Sequence, residues 1–315
     1  MIGAAGPRAL ARRFGAVAGL LVLCLLLWIL TPYFLTVANL LNVMEQTAIN
    51  AIVAVGMTYV IISGGIDLSV GSLLAVAGVV LALALKADWP VPIAAVAALG
   101  TGAICGLANG VGIAFGKLPP FIMTLGMMSV ARGAALLLTD GRPVSGFGAG
   151  FRSLATGHVV GVPAPIVLTL VIYLLSHLVL SRTRFGRYVY GIGGNEEATR
   201  LSGVPVRFHK TVVYGVSGVA SAVAATLLTA RLNTAQPIAG INYELDAIAA
   251  TVIGGTSLSG GDGSLGGTLI GALTMGVLRN GLNLLGVSSF LQQLVIGVVI
   301  IAAVLVDRVL KEKRS

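Results

Sequence analysis

The sequence predicts an all-α integral membrane protein, a polytopic bundle of about ten transmembrane helices with both termini in the cytoplasm. Of the 315 residues, 57% are hydrophobic and only 10% are charged, whereas soluble domains carry about 25% charged residues. Apolar runs such as Gly15–Leu30, Leu73–Leu85 and Gln293–Val306 are typical of membrane segments, because about 20 apolar residues cross the hydrocarbon core. Lipid offers no partner for free peptide groups, so these segments should be helices.

The predicted spans form one transmembrane domain over residues 1–315, with a cytoplasmic loop at 181–210 and a periplasmic loop at 140–162. The spans are approximately 14–32, 40–62, 68–86, 91–116, 120–139, 163–181, 211–230, 244–260, 266–283 and 290–307. Alternation then places the basic N-terminus, the 181–210 loop and the C-terminal tail on one side. That side is the cytoplasm, since cytoplasmic loops are enriched in Lys and Arg. The net charge of +9 therefore does not indicate nucleic acid.

Small residues and histidines give no sign of a cofactor or a metal. The 43 glycines, among them Gly102, Gly106 and Gly110, predict close helix packing rather than a solute path. The two cysteines lie within apolar spans and read as small apolar residues. The three histidines stand in separate segments without metal-ligand spacing, which disfavours a membrane-embedded enzyme; they are His158, His177 and His209.

A short helix is predicted within the cytoplasmic loop. Asn195 suits an N-cap, and Glu196 and Glu197 suit the first turn of a helix. Gly203 and the proline that follows it should end the helix after about two turns. The residues alone leave two readings open, a connector lying at the lipid headgroups and a docking element for another protein.

Two glycine-rich segments resemble each other. The pattern Gly-Gly-x-x-Leu-Ser-x-Gly begins at Gly64-Gly65 and again at Gly254-Gly255. Both segments fall at predicted cytoplasmic ends of spans, so we expect backbone breaks near a cytoplasmic gate. Asp67 would cap the returning helix, with solute contact as the alternative.

Charged side chains within the spans are few and costly, so each needs a partner or water. Arg132 lies in the middle of a span, and Arg279 lies toward an outer end. Glu45, Glu244 and Asp246 are the carboxylates at similar depth. Internal ion pairing is the favoured reading, with solute contact as the alternative.

Sequence motifs resemble those of ribose-type monosaccharide permeases of ABC importers. Glu197-Ala198 followed by Gly203 is similar to the Glu-Ala-Ala-x-x-x-Gly loop of importer permeases, although Thr199 replaces the second alanine. The segments 64–72 and 247–258 resemble the ribose-type branch, and the resemblance runs from about Asn39 through nearly the whole remaining chain.

The resemblance implies a permease subunit of a multi-pass bacterial inner-membrane importer for a pentose or hexose. Its expected partners are a cytoplasmic ABC ATPase subunit, a periplasmic solute-binding protein, the lipid bilayer and a second permease copy, forming a homodimer or a close heterodimer. Its ATPase-coupling loop would comprise Asn195, Glu196, Glu197, Ala198, Arg200 and Gly203. A sugar path needs neutral hydrogen-bonding groups, and the candidates are Asn50, Asn109, Asn280, Asn283 and Gln292. Outer arginines could contact the binding protein or simply be solvated: Arg142, Arg152 and Arg231.

ATP hydrolysis is expected in a partner chain. Residues 258–261 spell the start of an ABC ATPase signature, but the sequence has no Gly-x-x-x-x-Gly-Lys-Ser/Thr phosphate loop. The alternative function is an ATP-independent secondary transporter or facilitator. An ion-coupled carrier would usually show carboxylates deep within its spans, whereas here they gather near the predicted ends.

Overall fold

The computed structural model describes the backbone of residues 7–312 and the side chains of residues 15–305. In that range the chain forms α1 (Pro7–Leu30), α2 (Val37–Ile62), α3 (Val70–Lys86), α4 (Val91–Ala114), α5 (Pro120–Thr139), α6 (Ala149–Thr156), α7 (Ala164–Arg182), α8 (Arg184–Gly194), α9 (Glu196–Leu201), α10 (Val206–Leu232), α11 (Tyr243–Ile253), α12 (Leu265–Leu284) and α13 (Ser289–Glu312). Two-residue strands are β1 (Val144–Ser145), β2 (His158–Val159), β3 (Val162–Pro163) and β4 (Thr234–Ala235).

The all-α membrane class is confirmed. Among the described residues, 5 helices are long and apolar enough to cross a membrane: α2, α4, α5, α7 and α10. Shorter apolar helical stretches lie in α1, α3 and α13. The total of ten spans and the cytoplasmic location of the termini stay predictions, and the basic side chains of both termini lie outside the described side chains.

Helices α2 and α10 form the centre of the bundle. Of the residues in the most apolar 18-residue stretch of each helix, 83% are buried in α2 and 67% in α10, compared with 17% in α5. Helix α10 packs closely on α4 through glycine: a methyl group at Gly102 would overlap the Gly218 carbonyl oxygen, and one at Gly106 would overlap that of Tyr214. The spaced glycines of α4 thus serve close packing.

The predicted span 244–260 is wrong in extent. Helix α11 covers only Tyr243–Ile253, or about 16 Å at 1.5 Å per residue. Gly254 and Gly255 end it, and Gly255 adopts a φ of 88° that favours glycine. The apolar sequence continues past this point, which is why hydropathy alone extended the span.

A non-helical segment precedes α11, and Arg132 of α5 holds it. The Nη1 atom of Arg132 donates to the carbonyl oxygens of Pro237 at 2.6 Å and Ala239 at 2.8 Å. Arg132 lies in the middle of α5, so these carbonyl groups also lie deep in the bundle. Arg132 was predicted to pair internally with a carboxylate. Its hydrogen bonds are instead made with backbone carbonyl oxygens.

Both long loops contain ordered structure. In the 140–162 loop, β1 pairs antiparallel with β4, and Asn233 Oδ1 accepts the Phe147 amide at 3.0 Å. The loop is thereby attached to the end of α10. The 181–210 loop contains two helices, α8 and α9, where a single short helix was predicted. Gly193 and Gly194 are the last residues of α8.

Candidate functional site

Helix α9 is capped at both ends by the residues predicted to do so. Asn195 Oδ1 accepts the Ala198 amide at 2.8 Å, which satisfies one of the free amides of the first turn. Gly203 adopts a φ of 81° just after the last turn, a conformation that disfavours side chains. The chain therefore leaves α9 at a fixed angle and enters α10.

The charges of α9 are paired within the 181–210 loop. Arg200 Nε donates to Glu197 at 3.0 Å, and this hydrogen bond lowers the pKa of the Glu197 carboxyl. Lys210 Nζ of α10 donates to Glu196 at 2.6 Å. No residue of α9 is buried, and Leu201 is 73% exposed. The helix thus presents a nearly neutral surface with an apolar tip.

The end of α8 packs between two other loops. A methyl group at Gly193 would overlap the Ile62 carbonyl oxygen and would approach the Gly261 nitrogen. Tyr190, one turn earlier, donates its hydroxyl to the Gly263 carbonyl at 2.8 Å. Helix α8 leads directly into α9, so a displacement of α9 would act on both loops.

These two loops contain the similar glycine-rich segments. Gly64 follows α2 with a φ of 82°, and Gly255 follows α11 with a φ of 88°. The Gly261 amide donates to the Ile62 carbonyl oxygen at 2.9 Å. The two segments therefore meet each other and the end of α8. We call the contact of residues 62–64, 193 and 260–261 the glycine junction.

Asp67 lies in a buried polar cluster that joins three helices. Its Oδ1 accepts the Ser69 amide at 3.0 Å and the Ser69 hydroxyl at 2.6 Å, and its Oδ2 accepts the Ser217 hydroxyl at 2.8 Å. Asn109 donates to Ser69 Oγ at 2.9 Å. The N-cap of α3 is Ser69, so the prediction that Asp67 itself caps the helix is wrong. It supports the capping residue and links α3 to α10.

The deep charges of α11 and α12 form an ion pair. Arg279 Nη2 lies 2.8 and 2.7 Å from the two carboxylate oxygens of Asp246, which accounts for Arg279 by internal pairing. Asn50 Nδ2 donates to the same carboxylate at 3.3 Å. A cavity adjoins this group, lined among others by Gln46, Asn50, Asp246 and Arg279.

The five predicted path residues fall into different environments. Asn109 is fully buried, and Asn280 exchanges hydrogen bonds with Asn39 at 3.1 and 2.9 Å. Gln292 is buried and donates to Asn283 at 2.8 Å. Asn50 alone of the five lines the described cavity. Of the three arginines predicted to lie outside, Arg142 and Arg152 are exposed and Arg231 is half-buried.

Gln46 and Gly193 were missed by sequence reasoning. Gln46 stands four residues before Asn50 in an apolar span, and this helical spacing could have found it. Gly193 carries no chemical signal of its own, since its importance comes from the backbone of other loops.

Comparison with known proteins gives consistent matches. Residues 39–304 match the family model described as "Branched-chain amino acid transport system / permease component". The ribose import permease protein of Bacillus subtilis (strain 168) is 47% identical, over 94% of this chain and 93% of that protein. The ribose import permease protein of Escherichia coli (strain K12) is 49% identical, over 91% of each chain. The L-arabinose transport system permease protein of Escherichia coli (strain K12) is 39% identical, over 94% of this chain and 90% of that protein.

Proposed function

The chain belongs to the family of transport-system permease components, and from that premise we propose that it is the membrane subunit of an ATP-driven importer for a monosaccharide such as ribose. It is a multi-pass protein of the bacterial inner membrane and is not itself an enzyme. The relatives named above are ribose import and L-arabinose transport permeases. The observation that carries the proposal is the glycine junction, which connects an exposed cytoplasmic helix to two breaks in the transmembrane bundle.

Helix α9 is the docking element for the ATPase subunit. Its capped ends fix its orientation, and its paired charges lower the desolvation cost of entering a cleft. The exposed Leu201 offers an apolar anchor. The predicted coupling residues therefore act in two ways. Asn195 and Gly203 fix the two ends of α9, and the charged residues determine the electrostatic surface that α9 presents to the ATPase subunit.

The glycine junction transmits the movement of α9 to a cytoplasmic gate at the two breaks. Helix α8 contacts both glycine-rich segments through Gly193, at Ile62 and at Gly261, and a side chain there would push the two segments apart. Glycine allows the backbone at positions 64 and 255 to change conformation at low steric cost. The buried cluster of Asp67 keeps the start of α3 attached to α10 during this movement.

The other parts of the importer are supplied by partners. A second permease copy completes the transmembrane unit, and a periplasmic solute-binding protein delivers the sugar. Arg142 and Arg152 are exposed near the ordered outer loop and suit acidic residues of that binding protein.

The test is sugar uptake into proteoliposomes that contain this chain with its ATPase and binding-protein partners. Ribose uptake should require ATP. Glu197→Ala removes the partner of Arg200, and Gly203→Pro imposes a φ of about −65° where φ is positive, so each should reduce uptake strongly. Arg182→Ala, an exposed cytoplasmic change at the end of α7, is the control and should transport normally. Uptake by the chain alone, indifferent to ATP and to the two loop variants, would instead establish a facilitator.

A further inference from the structure

A row of polar side chains follows one face of α2. Asn42, Gln46 and Asn50 stand four residues apart, and residues at this spacing lie on one face of a helix. Asn42 and Gln46 are exposed, and Gln46 donates to Asn42 at 2.8 Å. Such a row in a membrane helix needs water or a polar partner beside it.

The row leads to the ion pair of α11 and α12. Asn50 contacts Asp246, and Asp246 binds Arg279. The side chain of Asp246 is 5% exposed, while that of Arg279 is 41% exposed. Asn283, one turn further along α12, is exposed as well. The polar face of α2, together with Arg279 and Asn283, is called the polar wall below.

The polar wall reaches the middle of the bundle. Asn50 lies midway along the 26 residues of α2, about 20 Å from each end at 1.5 Å per residue. A charged side chain that is 41% exposed at this depth cannot face hydrocarbon without a large desolvation cost. The polar wall therefore needs water or a polar partner beside it.

The polar wall ends at Asn50. On the same face of α2, one and two turns closer to the cytoplasmic end, Val53 and Met57 are fully buried. At the level of Met57, the hydroxyls of Thr58 and Thr268 lie 2.8 Å apart and join α2 to α12. A path that follows the polar wall from the predicted outer side is therefore closed below Asn50.

We propose that the polar wall lines a water-filled outer vestibule, and that Asn50, Asp246 and Arg279 at its floor bind the hydroxyl groups of the sugar during passage. The identity of the solute rests on the proposed function; the vestibule does not. Thr47 Oγ1 and Asn50 Oδ1 are buried beside the cavity without a hydrogen-bond partner. The floor thus combines unpaired acceptor oxygens with the guanidinium donors of Arg279. Two neighbouring hydroxyl groups of a sugar can donate to the former and accept from the latter.

The vestibule is tested by cysteine labelling. Both native cysteines are first replaced by serine, and Gln46→Cys is introduced into the full complex in spheroplasts. A charged, membrane-impermeant methanethiosulfonate reagent should modify this cysteine at least 10-fold faster than the one in Ile104→Cys. Ile104 of α4 is 69% exposed but lies among apolar residues, so it should face lipid or a subunit contact. Equal rates for the two variants would overturn the vestibule.

Sugar contact at the floor is tested by Asn50→Ala in the reconstituted importer. We expect ribose uptake to fall at least 10-fold while ATP hydrolysis stimulated by the binding protein persists, and Asn50→Gln to recover part of the uptake. Persisting hydrolysis shows that the complex is assembled. Normal uptake by Asn50→Ala would overturn the floor assignment. If the wild-type importer moves no sugar, the proposed function fails, and the labelling experiment still decides the vestibule.

Discussion

The backbone amide of Gly261 donates a hydrogen bond of 2.9 Å to the carbonyl oxygen of Ile62. This bond joins the loop after α11 to the end of α2, which are far apart in sequence. Gly193 packs against the same carbonyl oxygen. Three chain segments thus meet through backbone atoms, and this contact leads to the first prediction.

Gly193→Ala should impair the coupling of ATP hydrolysis to transport. The new methyl group would overlap the Ile62 carbonyl oxygen, so at least one segment of the junction must move. We expect sugar uptake per ATP hydrolysed to fall several-fold, measured in proteoliposomes. Gly194→Ala is the matched control, because nothing lies within 4 Å of a methyl group there. Equal coupling in both variants would contradict the role of the junction.

Asn195→Ala should weaken the interaction with the ATPase subunit. Loss of an N-cap costs about 1 kcal/mol of helix stability, and α9 has only six residues and no buried side chain to compensate. The affinity of the ATPase subunit for the permease should decrease, and uptake should decrease with it. Asn195→Asp keeps a capping oxygen and should bind as the wild type does. Unchanged affinity in the alanine variant would show that the cap is dispensable.

Gly106→Ala should destabilise the helix bundle. Its methyl group would overlap the Tyr214 carbonyl oxygen in α10, and overpacking of this kind costs about 1–3 kcal/mol. The thermal midpoint of the purified protein in detergent should fall. Gly100→Ala lies on the same helix with nothing within 4 Å, and its midpoint should be unchanged or slightly higher. A lower midpoint for Gly100→Ala alone would argue against the close crossing of α4 and α10.

Arg279→Gln should destabilise the protein more than the double change of Arg279→Gln and Asp246→Asn. Removing one partner leaves the buried Asp246 carboxylate uncompensated, which typically costs about 3–5 kcal/mol. Neutralising both removes the ion pair without leaving a charge. Thermal inactivation of the purified importer should rank the double variant above the single one. The opposite rank would indicate that Asp246 has another cation as its partner.

Local sequence chemistry predicted the short helix α9 closely. Asn195 and Gly203 stand at its two ends because capping depends on neighbouring residues in the chain. The paired glycines likewise predicted where α2 and α11 end. Their role as a gate stays a prediction.

Contacts between residues far apart in the chain could not be predicted from the sequence. The non-helical segment before α11 depends on Arg132 of α5, which binds carbonyl groups about one hundred residues later in the chain. Asn109 and Asn280 carry the neutral hydrogen-bonding side chains expected of a sugar path, yet both are buried against other polar side chains. Residue type indicates a capacity for hydrogen bonding, while only the fold decides which partner fills it.

The glycine junction is built from main-chain atoms and the absence of side chains, so it recognises no particular solute. The polar wall, in contrast, is built from amides and charges whose exchange would alter what they bind. The two features lie at opposite halves of the same helix, α2. On the proposed function, the coupling to ATP hydrolysis and the choice of solute can therefore change independently, because substitutions in the polar wall leave the glycine junction intact.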